Sequence, residues 1–401
     1  MKKERSSLVK LLGMVLTVML FFGAGGCGSD DDDDGPVDLA SFIALANTDY
    51  VTGQAAQVKV DEQGTFPAVQ NSTTLDSDPG GMDISAKTGK ETVFLAGRQT
   101  STVYQLDPGN DMEVSDSYTI GPGMWAVNPQ DVLVVSESKA YVSRYADAYD
   151  DLLIIDPRDG STKGTIDFAG IPTNGDTLAR PADMVKANGK VFVAVQNLNA
   201  GFNYCEADIE PGIVAVIDPG TDTIVDTIFL NKSNPKTLYY AKSRNEILVA
   251  SAGNFATDSP GCASFSPDPA PASSGLEIIS VKPPYAHYLV ISGDHPDING
   301  NIYDVALSGN NTAYVLVAYG YNNEDRARKV DIATGAVEGA FRYPATNSGN
   351  DDLSGIQAAE GHLLIGDRSN SGIEVIRTKD DQEVGFQALD LPPLTMSLRR
   401  K

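Results

Sequence analysis

One short strand recurs along this chain, and its recurrence dictates the architecture. It is found at Val58-Lys-Val-Asp61, Tyr104-Gln-Leu-Asp107, Leu153-Ile-Ile-Asp156, Ala215-Val-Ile-Asp218, Glu277-Ile-Ile-Ser280, Arg328-Lys-Val-Asp331 and Glu374-Val-Ile-Arg377. The copies end 46, 49, 62, 62, 51 and 46 residues apart. Gly- or Asp-containing turns follow the strand, as in Asp156-Pro-Arg-Asp-Gly160, and a further strand follows the turn, as in Thr223-Ile-Val-Asp-Thr-Ile-Phe229. A hairpin precedes it, for example around Asn188-Gly189, a dipeptide that suits a tight two-residue turn. Four strands in about 50 residues make one propeller blade. A single blade cannot bury both of its faces, so stacking into a ring is required. The expected fold is all-β: a seven-bladed β-propeller of four-stranded blades.

The chain ends show how such a ring closes. Phe42–Asn47 matches the second strand of a blade and Gln57–Val60 the third, with no opening strand before them. The last copy overshoots, ending in residues 392–398, which match opening strands such as Pro181-Ala-Asp-Met184 and Pro235-Lys-Thr-Leu238. The C-terminal strand is therefore expected to join the first blade as its innermost strand.

The stretch Val214-Ala-Val-Ile-Asp-Pro-Gly-Thr-Asp-Thr-Ile-Val-Asp-Thr-Ile228, with Asn234-Pro-Lys-Thr-Leu238 and Glu246-Ile-Leu-Val-Ala-Ser251, resembles a YVTN-type repeat, the repeat of YncE-like seven-bladed propellers. The likeness is clear over 181–252 and weaker but continuous from Phe42 to Leu398. The tetrapeptide itself is replaced by Val249-Ala-Ser-Ala252 and Tyr141-Val-Ser-Arg144. The resemblance implies a propeller with a binding role and carries over no catalytic residue.

The N-terminus tells a separate story. A basic start, an apolar run from Leu8 to Phe22 and small residues before Cys27 describe an export signal. Ala24-Gly25-Gly26-Cys27 resembles the lipobox of bacterial lipoproteins, with Ala24 where Leu is usual. That resemblance implies removal of residues 1–26 and acylation of Cys27, palmitate among the chains, with several chains giving durable anchoring. Gly28-Ser29, Asp30–Asp34 and Gly35-Pro36 follow, a self-repelling run that stays extended. Residues 27–38 are thus expected to be a tether and 39–401 the propeller. Gly28 after Cys27 points by the same resemblance to the outer membrane, within the periplasm or facing outward.

Charge narrows the partners. The chain carries 30 basic and 54 acidic residues, and loss of residues 1–26 removes four of the former and one of the latter, leaving −27. Such a surface repels phosphate backbones, so nucleic acid is not an expected partner. A monomer is expected, held at the membrane through Cys27 and presenting a face to an envelope protein or a small ligand.

That face follows from loop lengths. Turns on one side of the ring are short (87–90, 136–138, 308–311, 359–361), whereas 169–180, 199–211, 254–274, 292–300 and 344–353 are all on the other. Enlargement on one side marks a working face, because loops on a rigid scaffold carry function. Cys205 and Cys262 fall in equivalent loops of neighbouring repeats, in a compartment where disulfides persist. A bridge between them is expected, with two separate thiols as the other reading.

A second set of candidates lies on the inner strands. Asp83, Asp131, Asp183, Thr237, Asp304, Gln357 and Thr395 recur just before a buried apolar position and would ring the channel mouth. Four carboxylates in a narrow mouth need donors, cations or raised pKa values. Ca²⁺ on Asp83, Asp131, Asp183 and Asp304 is one reading. Bonds to backbone, or to Arg98, Arg144 and Arg368, are the other. Enzyme readings find less support. His287, His295 and His362 match no ligand spacing, and the one tryptophan, Trp125, argues against a quinone-cofactor dehydrogenase, whose propeller resembles this one in outline but repeats tryptophan in every blade. The reading is a membrane-anchored binding or scaffold module; the alternative is a calcium-dependent, lactonase-like hydrolase.

Overall fold

The computed structural model describes residues 42–48, 53–58, 69–75, 84–89, 92–110, 112–124, 126–171, 177–199, 210–255, 269–319, 325–344 and 352–399. Cys27 and its flanking segments, Asp83, Trp125, Cys205 and Cys262 lie outside the described residues.

The chain opens with β1 (Phe42–Thr48), β2 (Gly53–Val58) and β3 (Val69–Leu75). Next come β4 (Ile84–Thr88), β5 (Val93–Gly97), β6 (Thr102–Asp107) and β7 (Glu113–Thr119). Then follow β8 (Pro129–Ser136), β9 (Lys139–Arg144), β10 (Asp151–Ile155) and β11 (Thr162–Asp167). The short β12 (Thr177–Leu178) precedes β13 (Pro181–Ala187) and β14 (Lys190–Val195). It pairs with β15 (Leu198–Asn199), after which come β16 (Ile213–Asp218) and β17 (Thr223–Phe229). The next unit holds β18 (Pro235–Ala241), β19 (Glu246–Ser251), the short pair β20 (Asn254–Phe255) and β21 (Pro269–Ala270), then β22 (Gly275–Ser280) and β23 (His287–Ser292). The chain finishes with β24 (Asn301–Ser308), β25 (Thr312–Ala318), β26 (Asp325–Asp331), β27 (Ala336–Tyr343), β28 (Leu353–Ala359), β29 (His362–Asp367), β30 (Gly372–Arg377), β31 (Gln382–Ala388) and β32 (Pro393–Arg399).

These strands form antiparallel four-stranded sheets, the blades of a β-propeller. The blade count needs correcting. Six stretches of chain, not seven, each fold into a complete blade: β4 to β7, β8 to β11, β13-β14-β16-β17, β18-β19-β22-β23, β24 to β27 and β28 to β31. The copy of the repeat at Val58 has no inner strand of its own, so it makes no self-contained blade. Its three strands enter a sheet of order β3-β2-β1-β32, shared between the two chain ends.

In that shared sheet β1 pairs antiparallel with β32, from Phe42 opposite Arg399 to Asn47 opposite Pro393. The inner strands β4, β8, β13, β18, β24, β28 and β32 pack each against the next, and β32 returns to β4. Pro129, Pro181, Pro235 and Pro393 each begin an inner strand, where the missing N–H costs no ladder bond.

Strand burial reflects face-to-face stacking. On β14, Phe192 and Ala194 pack with Val214, Leu238 and Val249, while Val191 and Val193 pack oppositely with Tyr141, Leu152 and Ile154. Middle strands are therefore apolar on both faces, and alternation disappears from their sequence. Outermost strands keep one wet face, and Val225 and Phe229 of β17 are about half exposed. The tight turn at Asn188-Gly189 has φ of 49° and 69°, the left-handed pair that an Asn-Gly hairpin supplies.

Candidate functional site

The inner strands surround a cavity of about 700 Å³ that opens where the second strands of the blades end, at residues such as Arg98, Tyr145, Gln196, Ala252 and Arg368. This is the side that carries the long loops. Asp131, Asp183, Thr237, Asp304, Gln357 and Thr395 all line it. None of the three histidines does.

Each ring side chain stitches one inner strand to the next. Asp131 Oδ2 accepts from the Met184 N–H at 2.9 Å, Asp183 Oδ2 from Leu238 at 2.8 Å, and Asp304 Oδ2 from Ile356 at 3.0 Å. Thr395 Oγ1 accepts from Ala86 N–H at 2.9 Å, and Thr237 Oγ1 donates to the Tyr303 carbonyl at 3.2 Å. The other oxygen of Asp131 and of Asp304 accepts the N–H of the following residue, at 2.8 Å in each case. Strand N–H and C=O groups that face the channel thus find partners in side chains of the neighbouring strand.

The ladders also fix the register of the ring. Met184 lies opposite Val193, Ala86 opposite Leu95 and Ile356 opposite Ile365. The positions equivalent to Asp183 are therefore Ser85 and Gly355, two residues from Asp83 and Gln357. Ser85 Oγ donates to the Gln130 carbonyl at 2.6 Å, the same bond type Thr237 makes. Gly355 has φ of +72°, and a Cβ there would lie 3.3 Å from the Met396 backbone nitrogen. Gln357 still reaches the cavity, its Nε2 donating to the Met396 carbonyl at 3.4 Å.

Lys87, absent from the sequence-based set, is one of the cations that line this cavity, with Arg98, Lys236 and Arg368. Its Nζ lies 3.0 Å from Asp131 Oδ2, 2.8 Å from Asp183 Oδ1 and 2.8 Å from the Met184 carbonyl oxygen. Burial drags the ammonium down, but the two carboxylates outweigh it and hold the pKa well above its usual value. Burial pushes Asp131 up to about 6, with Lys87 pulling it the other way. Only the spacing of two on β4, from Ser85 to Lys87, signalled in advance that this lysine shares the channel face.

The opposite wall joins β24, β26 and β28. Asp325 Oδ2 accepts from Tyr303 Oη at 3.1 Å and from Leu353 N–H at 3.0 Å, while Tyr303 Oη also lies 2.8 Å from the Leu353 carbonyl. The Lys236 ammonium sits 4.8 Å from the centre of the Tyr303 ring. Burial raises Asp304 to about 6 and Asp325 to about 7, and it raises Asp352 as well.

The arginines named from the sequence turn elsewhere in part. Arg144 grips Asp151 with two bonds of 2.6 and 2.5 Å and stacks on Tyr149, and Arg368 Nε lies 3.5 Å from Asp352. Among the described residues no three His, Cys, Asp or Glu side chains are grouped to hold a metal ion. The cavity offers amides, tyrosines and both signs of charge on a rigid frame, a surface suited to recognising polar groups.

Comparison with known proteins supports the fold. No family model and no curated protein matches the sequence. Among solved structures, the β-propeller domain of Cps50 (Swd1) from Myceliophteria thermophila is similar over 81% of this chain and 93% of its own, at 11% identity and a TM-score of 0.53. A functionally unknown protein from Desulfotomaculum acetoxidans is similar over 90% of this chain and 99% of its own, at 12% identity and a TM-score of 0.53. The dihydro-heme d1 dehydrogenase NirN, in complex with DHE, is similar over 90% and 76%, at 13% identity and a TM-score of 0.50. At such identities the likeness shows a β-propeller and nothing finer. One fold hosts many functions, so the site must carry the argument.

Proposed function

We propose that this chain is a lipid-anchored binding module of the bacterial envelope, which recognises a polar small ligand or a polar loop of a partner in the channel mouth. The observation that carries this reading is the cavity of about 700 Å³, lined by polar side chains from successive inner strands and open on the long-loop side. Several supports for the location come from the sequence: the Cys27 lipobox, the Asp30–Asp34 run and the export signal. An anchored module keeps its site at high local concentration near other envelope components. A bridge between Cys205 and Cys262 would pin two neighbouring loops beside that mouth.

The test pairs two changes. Cys27→Ser should abolish incorporation of labelled palmitate and release the protein from membranes. A Gln196→Ala, Lys236→Ala double variant should stay folded, stay anchored and lose the partner or ligand recovered by affinity capture with the intact lipoprotein. An unchanged capture profile from the double variant would refute the channel mouth as the recognition site. Membrane retention by Cys27→Ser would refute the anchor.

A further inference from the structure

The floor of the cavity has an unusual occupant. Lys87 Nζ is surrounded by Asp131 Oδ2 at 3.0 Å, Asp183 Oδ1 at 2.8 Å and Met184 O at 2.8 Å. Three oxygens contributed by β8 and β13 converge on one ammonium from β4. Asp131 is only 5% exposed. Both carboxylates already accept backbone N–H groups, from Met184 and Leu238, so their positions are set by the ring rather than by the lysine. An ammonium carries three donors, and three oxygens accept them here.

We infer that this is a cation site built into the ring and filled by the chain's own Lys87, so that no external ion is needed to hold Asp131 and Asp183 together. The lysine acts as a tethered counter-ion that links three successive blades. Without it, two carboxylates would face one another in a partly buried wall, an arrangement that disfavours double ionisation. The site is one for an ammonium, not for calcium. Ca²⁺ takes six to eight oxygen ligands, and the described residues bring three oxygens to this place, each already accepting from the ammonium. With the lysine side chain removed, the vacated place should accept a small organic cation that carries N–H donors.

Chemical rescue tests this directly, using the full mature chain. Lys87→Ala should melt at a lower temperature than the wild type at pH 7.5, and methylammonium should restore much of the difference in a saturable way. Tetramethylammonium, of equal charge but without an N–H, should not restore it. The wild type should respond to neither ion, and calcium should leave its melting temperature unchanged. If Lys87→Ala does not fold, Lys87→Ala combined with Asp131→Asn and Asp183→Asn should fold without amine and show no methylammonium response. Equal rescue by both ammonium ions, a saturable calcium shift in the wild type, or a methylammonium response in the triple variant would each overturn the inference.

Discussion

Removal of residues 392–401 deletes β32 and opens the ring between β28 and β4. The loss can be worked from the contacts described. The side-chain bonds lost include four of 2.5–2.9 Å: Ala86 N–H to Thr395, Thr88 N–H to Ser397, Thr88 Oγ1 to the Leu398 carbonyl, and Ser354 Oγ to the Pro393 carbonyl. At about 1 kcal/mol each they total ~4 kcal/mol. Met396, 8% exposed among Val58, Leu364, Ile373 and Leu389, adds about 2 kcal/mol of apolar burial. The β1–β32 ladder, from Phe42 to Asn47, is lost as well and leaves β1 as a bare edge. A loss of at least ~6 kcal/mol meets a typical domain stability of about 5–15 kcal/mol. The truncated chain should therefore lose its cooperative native transition or melt far lower in circular dichroism and urea titration. A synthetic peptide of residues 391–401 should restore part of the transition, because it supplies the same strand in trans. Removal of residues 400–401 alone is the control and should change little. An unchanged urea midpoint after the larger deletion would refute the closure argument.

Three further outcomes follow from the same contacts. Burial raises Asp325 to about 7, so its folded state holds a proton that the unfolded chain releases near pH 4. Its contribution is fully present below pH ~4 and is lost as pH rises through 7, so Asp325→Asn should gain on the wild type by up to about 4 kcal/mol between pH 4 and 8 in urea titrations; a pH-independent difference would contradict this. Arg180 is fully buried, donating to the Tyr145 carbonyl and to the half-exposed Asp147 at 2.5 Å each, so Arg180→Ala should cost about 2–3 kcal/mol in the same assay through lost bonds and packing. Gly189 and Gly355 have nearly equal positive φ, 69° and 72°, yet only Gly355 has backbone close by, so Gly189→Ala should cost about 1–2 kcal/mol and Gly355→Ala clearly more.

Much of the fold was legible because propeller physics writes itself into spacing. Recurrence of one strand gave the blade, and the strandless start with an overshooting end gave the β1–β32 closure. The count of like blades was read too simply. Seven copies of one strand do not require seven complete repeats, and the Val58 copy borrows its inner strand from the other end. The ring was legible in kind but not in register. Residues two apart on a strand share a face, so alternation alone cannot choose between Asp83 and Ser85, or between Gln357 and Gly355. Cross-strand pairing chooses, and that requires the hairpin partners at Leu95 and Ile365. Lys87 was missed for a different reason: its role arises from Asp131 and Asp183 on two other blades, 44 and 96 residues away.

The shared sheet has a consequence for how the gene can be cut. Phe42 and Arg399 face each other across a ladder, where paired Cα atoms are about 5 Å apart. A short linker between residues 42 and 399 would make the propeller chain circular, and new termini at Asn188-Gly189 would fall on an exposed turn with open space around Gly189. Such a permuted gene encodes the same ring with every blade order preserved. It would convert that non-covalent seam into a covalent one and move the weak point of the propeller ring to a hairpin.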